Sequence, residues 1–146
     1  MNDPFATIEE HRPAFDVHAR CVPRSFATPI DAAREFGLRA DERAFKPIDR
    51  IRAKAILRYL LRFDLAYGSD LMTDEKAEAI IASLMEMLPD NTRFFTNGNW
   101  DNRSTIRDRQ NSLGTQWVPA TECTIDGGVL ALADNMAACV WFGDED

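Results

Sequence analysis

The run Ala137-Ala138-Cys139-Val140-Trp141-Phe142 constrains the fold of this chain more than any other segment. Extended, it turns Ala137, Cys139 and Trp141 one way and Ala138, Val140 and Phe142 the other, because successive side chains of a strand alternate between faces. Both sets are apolar. Such a strand needs cover on both sides, from helices on one face and from the N-terminal arm, a loop or a partner on the other. Residues 121–125 and 129–133 read as further strands, with turns at Asp126-Gly127 and Asp134-Asn135. Asp-Gly between β-compatible runs is a hairpin signal. Gly127-Gly128 is read as turn chemistry, since no Gly-x-x-x-x-Gly-Lys or Gly-x-Gly-x-x-Gly context surrounds it.

Helical signals precede these strands. Thr28 before Pro29 and Asp31 marks a helix start, and Gly37 a stop. Over 47–66, Ile48, Ile51, Ala55, Ile56, Tyr59, Leu60 and Phe63 recur at three- and four-residue spacing, which predicts the central core helix. Thr73 caps a further helix with Asp74 and Glu75 in its first turn, and Pro89 ends it. The first 28 residues, rich in proline, fit no sustained period and are expected to form an irregular arm with one helical turn after Asp3-Pro4. Residues 93–96 and 116–118 read as short strands flanking a long polar segment. The expectation is an α+β fold: about three helices packed on a C-terminal antiparallel β-sheet, a meander.

With 45% apolar and 28% charged residues among 146, the composition suits one globular domain spanning 1–146: an arm over 1–28, a helical part over 29–90 and a loop and sheet part over 91–146. No basic leader and no apolar run of spanning length occurs, so a cytoplasmic protein without membrane contact is expected. Cys21, Cys123 and Cys139 form no close pair and read as free thiols. The net charge of -7 is unevenly placed. Residues 1–68 carry 12 basic against 10 acidic groups, and residues 69–146 carry 5 against 14.

Candidate chemistry is sparse. His11, His18 and Cys21 hold donor atoms, but their spacing matches no standard zinc pattern, and no metal or other cofactor is expected. The two histidines lie in the first 18 residues, leaving Cys21 with His18 as the one close thiol and imidazole pair. No catalytic residue is assigned. Lys46, Arg50, Lys54, Arg58 and Arg62 recur every four residues and would form a slanting cationic ribbon on the main helix. Such a ribbon suits either a phosphate backbone or a solvated helix face whose charges pair with the acidic half. The segment from Trp100 through Arg103, Arg107 and Arg109 joins an aromatic to three guanidiniums, the residue types of binding hot spots. Asp144, Glu145 and Asp146 close the chain with clustered carboxylates suited to a basic groove on a target.

This small, acidic profile resembles inhibitor-type proteins such as immunity proteins and phage-encoded anti-defence proteins, a resemblance that carries no residue assignments. The leading expectation is a non-catalytic inhibitor of a larger protein target, a nuclease or nucleoprotein complex. It would use Asp144, Glu145 and Asp146 together with Trp100, Arg103, Arg107 and Arg109. Two alternatives stand beside it: nucleic-acid binding through Arg50, Lys54, Arg58 and Arg62, and a small metal- or thiol-dependent enzyme. The two-faced strand and the aromatics leave room for a homodimer.

Overall fold

A computed structural model of the chain describes residues 3–102 and 116–145. In chain order its elements are α1 (Pro4–His11), β1 (Asp16–Val22), α2 (Pro29–Phe36), β2 (Lys46–Ile48), α3 (Arg50–Arg62), α4 (Asp74–Met87), β3 (Arg93–Thr96), β4 (Ile125–Leu132) and β5 (Ala137–Asp144). The fold is α+β, with four α-helices among the described residues and an antiparallel sheet of order β1-β5-β4-β3-β2.

Every residue of β5 is buried, as a strand apolar on both faces requires. Val129, Ala131, Ala138, Val140 and Phe142 pack with α1, α3 and α4. On the other face Leu130, Leu132, Ala137, Cys139 and Trp141 pack with Ala32, Ala33 and Phe36 of α2 and with Leu38, Ala44, Phe45 and Ala120. The second cover is thus a short helix and two loop segments of the chain itself.

Helix boundaries follow local chemistry. Thr28 accepts from the Asp31 N–H, Pro29 opens α2, and Gly37 closes it at φ 79. Thr73 caps α4 through the Lys76 N–H. The main helix is shorter than its periodicity suggests: Asp49 caps it, and Pro47 and Ile48 belong to β2 instead. Ile51, counted on its apolar side, is 79% exposed.

Further expectations are corrected: 121–124 is not a strand, and 116–118 holds a single bridge, Trp117 to Gly98. The N-terminal region is not an irregular arm, because α1 and β1 occupy most of it and β1 pairs with β5 from Asp16↔Gly143 to Val22↔Ala137. Nor is there a turn at Asp126-Gly127, since β4 runs straight through it, with Asp126 opposite Gly143 and Gly128 opposite Trp141. Both glycines make room for tryptophans rather than for a turn. A Cβ on Gly127 would lie 2.6 Å from Trp100 Nε1, and one on Gly128 would lie 2.4 Å from Trp141 Cδ2. Asp126 is fully buried and holds this region together. Its carboxylate accepts from the Ala120 and Thr121 N–H groups, the Thr121 hydroxyl, Trp141 Nε1 and Asn97 Nδ2, all at 3.0–3.2 Å. Asn97 in turn accepts from Trp100 Nε1 at 3.0 Å.

Where α1, α3 and β5 end, Arg12 is fully buried. Its Nε donates to the Leu60 carbonyl at 2.7 Å and a terminal nitrogen donates to the Phe63 carbonyl at 3.0 Å, satisfying acceptors left open at the C-terminus of α3. The guanidinium lies 4.3 Å from the Phe142 ring centroid and 3.6 Å from Asp144, which accepts from the Leu65 N–H at 2.7 Å. Burial pulls the Arg12 guanidinium below its ordinary value, and Asp144 opposes that shift.

Candidate functional site

Strand alternation decides which candidate residues can meet. Along β1, Val17 and Ala19 pack toward α1, while Asp16, His18 and Arg20 belong to the α2 side, Arg20 lying 4.9 Å from the Phe36 ring. His18 and Cys21, three apart, therefore face opposite sides of the sheet, and the thiol and imidazole that lie close in sequence do not form a pair. His11 lies near Glu10 instead, at 3.7 Å. Among the described residues no group of three or more His, Cys, Asp or Glu side chains is placed to hold a metal ion.

The partner-binding set is also redistributed. Trp100 is fully buried, under Gly127 and 6.2 Å from Trp117, so it presents nothing to a partner. Asp144 is turned inward to Arg12. Glu145 is exposed and accepts from the Thr124 N–H and hydroxyl. Arg103, Arg107, Arg109 and Asp146 lie outside the described residues.

The cationic ribbon is largely taken up within the molecule. Lys46 lies on β2 rather than the helix. Arg50 donates to the Pro89 carbonyl and covers the Phe94 ring at 5.1 Å. Arg58 pairs with Asp74 at 2.8 Å and Glu78 at 3.4 Å, and Arg62 with Asp74 at 3.1 Å and Asp70 at 3.4 Å. The Arg58 hydrogen bond holds the Asp74 carboxyl below its ordinary value. Lys54 remains exposed. Of the ribbon, Arg58 and Arg62 are thus paired with the start of α4 and the loop before it.

A different cluster emerges at the end of β1. A cleft of about 250 Å³ is lined by Phe15, Asp16, His18, Gly37, Arg39, Thr121, Glu122, Cys123 and Glu145 among others. His18 Nε2 and Asp16 Oδ2 are 2.9 Å apart, and Arg39 pairs with Glu122 at 2.9 Å. Phe15 stands at the rim, 74% exposed. The Cys123 thiol rests where a Gly143 side chain would otherwise be, 2.4 Å from that notional Cβ. Burial raises its pKa, with Asp16, Glu145 and Asp126 adding to the rise against a lowering hydrogen bond from Thr121. A thiol so placed is a poor nucleophile, since the thiolate is the reactive form. The cleft can instead receive a cation beside an aromatic ring.

A second cleft, of about 390 Å³, lies on the helical side of the same strand, lined by Asp3, Phe5, Ala6, Glu9, Ala19, Arg20, Cys21 and Met87. Cys21 there is raised by burial and by Asp3. The sequence alone assigned no role to Phe15 or Glu122; the alternation Asp16-Val17-His18-Ala19-Arg20-Cys21 was the available signal for an edge strand.

No protein-family model, no curated protein and no solved structure matches the chain. Its fold and site therefore rest on its own residues. Among the described residues no helix is long and apolar enough to cross a membrane.

Proposed function

We propose that this protein is a non-catalytic inhibitor that binds a larger protein target, a nuclease or nucleoprotein complex, through an acidic surface centred on the Phe15 cleft. One observation carries the reading: an exposed aromatic stands beside a cleft holding Asp16, Glu122 and Glu145 against one guanidinium, Arg39, and one imidazole, His18. An aromatic anchor surrounded by like charges suits a basic patch on a partner, the ring supplying buried area and the carboxylates steering the approach. This keeps Glu145 from the expected acidic end and replaces the buried Trp100 and Asp144 by Phe15 and Glu122.

The test uses the full chain as bait in extract of its native host. Phe15→Ala and the pair Glu122→Lys/Glu145→Lys should weaken capture of a specific target about ten-fold or more and flatten its salt dependence. The captured target, once purified, should lose activity on addition of the wild-type chain and keep it with the variants. Undiminished capture and inhibition by both variants would overturn the reading.

A further inference from the structure

The two edges of the sheet differ. The β2 edge is three residues long and carries Pro47, which shortens and blunts it. The β1 edge is seven residues long with no internal proline, and among the described residues its one strand partner is β5. No further backbone hydrogen bond from 16–22 is found among the described residues. Among the described residues nothing pairs with the outward N–H and C=O groups of β1 along roughly 23 Å of edge. Arg20 and Cys21 on that strand, and Phe15 before it, are exposed.

Charge selects what this edge would accept. The clefts on its two faces are lined by five carboxylates, Asp3 and Glu9 on the α1 side and Asp16, Glu122 and Glu145 on the α2 side. Against these stand Arg39, which pairs with Glu122, His18, whose Nε2 lies 2.9 Å from Asp16 Oδ2, and Arg20, which is turned to the Glu35 carbonyl and the Phe36 ring, leaving Asp3, Glu9 and Glu145 without a basic partner among the described residues. A second copy would bring the same carboxylates, and a charge of -7, against their own kind.

We infer that the open edge of β1 captures an extended basic segment of a protein partner as an added antiparallel strand, its backbone pairing with 16–22, its alternate lysine or arginine side chains entering the Phe15 cleft on the α2 side and the residues between them lying along Phe5, Ala19 and Met87 on the α1 side. Main-chain pairing supplies affinity and the flanking clefts supply selectivity, as in other strand-addition interfaces. The inference rests on the partner-binding reading above and names the form the partner takes.

The probes are three capped decapeptides alternating lysine and valine: one unmodified, one N-methylated at every valine, one N-methylated at every lysine. All three carry the same charge, and the methylated pair differ in which edge can still donate. The unmodified peptide should bind the full chain at low salt and slow amide exchange over 16–22. One methylated isomer should bind comparably and the other about ten-fold or more weaker, the loss expected when several edge hydrogen bonds go. Equal binding by all three would overturn strand addition while leaving the acidic-surface reading standing, and equal loss in both isomers would overturn it as well. Absence of peptide binding, with Phe15-dependent capture of the host target intact, would also overturn the edge alone. Concentration-dependent protection of 16–22 in the free protein, with a dimer in sedimentation, would give the edge to a second copy and likewise overturn the proposal.

Discussion

A methyl group on Gly127 would meet Trp100 at three atoms, the nearest 2.6 Å away, and one on Gly128 would meet Trp141 and the Val140 carbonyl at 2.4 Å. Neither glycine has the positive φ found at Gly37 and Gly68, so both are kept for space and not for backbone freedom. The indole of Trp141 lies over Gly128 and donates to Asp126, joining absent bulk to a buried charge. Gly127→Ala should cost about 1–3 kcal/mol, the usual range for overpacking a filled core. Because every near contact belongs to Trp100, Trp100→Phe should relieve part of that cost. A urea-denaturation double-mutant cycle that proved additive to within about 0.5 kcal/mol would contradict the close-packing account.

Among elements, α3 depends on a residue far outside it. Its final carbonyls meet Arg12, whose charge is balanced by Asp144 at the end of β5, so one buried pair joins three elements. Arg12→Met should destabilise the fold by about 3–5 kcal/mol, since it leaves Asp144 buried without its cation and the α3 carbonyls without a donor. Arg12→Lys should recover little, because one ammonium cannot span Leu60, Phe63 and Asp144 together. Chemical denaturation of both variants checks this, and near-wild-type stability in either would count against the pair. The same junction marks how far elements were legible. Caps at Thr28 and Thr73 and the stop at Gly37 are local and could be read directly. The alternation of 16–22 was equally present, yet Pro13 and Pro23 on either side made the region read as irregular. Asp126-Gly127 carried a hairpin signal that tertiary packing overrode, because the space for two indoles and the five partners of one carboxylate are long-range facts. For the site, Glu145 was legible as exposed acid, whereas the burial of Asp144 and Trp100 depends on Arg12 and Gly127, which no local pattern links to them.

Across the whole molecule, the two-faced terminal strand determines how the parts depend on one another. Both apolar clusters are built on the same sheet, one under α1, α3 and α4 and the other under α2 and its neighbouring loops. Adjacent residues of β4 and β5 serve opposite clusters, so loss of either cover exposes backbone and side chains that hold the other in place. The arginines of α3 that pair with Asp70, Asp74 and Glu78 add a modest contribution, since solvent screens ion pairs at the surface. Apolar burial through the common sheet is the larger effect, and it predicts one cooperative transition. Leu57→Ala in the helical-side cluster and Leu130→Ala in the other should each lower stability by about 2–5 kcal/mol. Both should move a single transition in which far-ultraviolet circular dichroism and tryptophan fluorescence coincide. If Leu130→Ala instead produced two separated transitions, with helix signal surviving after the fluorescence change, the two clusters would have to be independent and the shared sheet would not couple them.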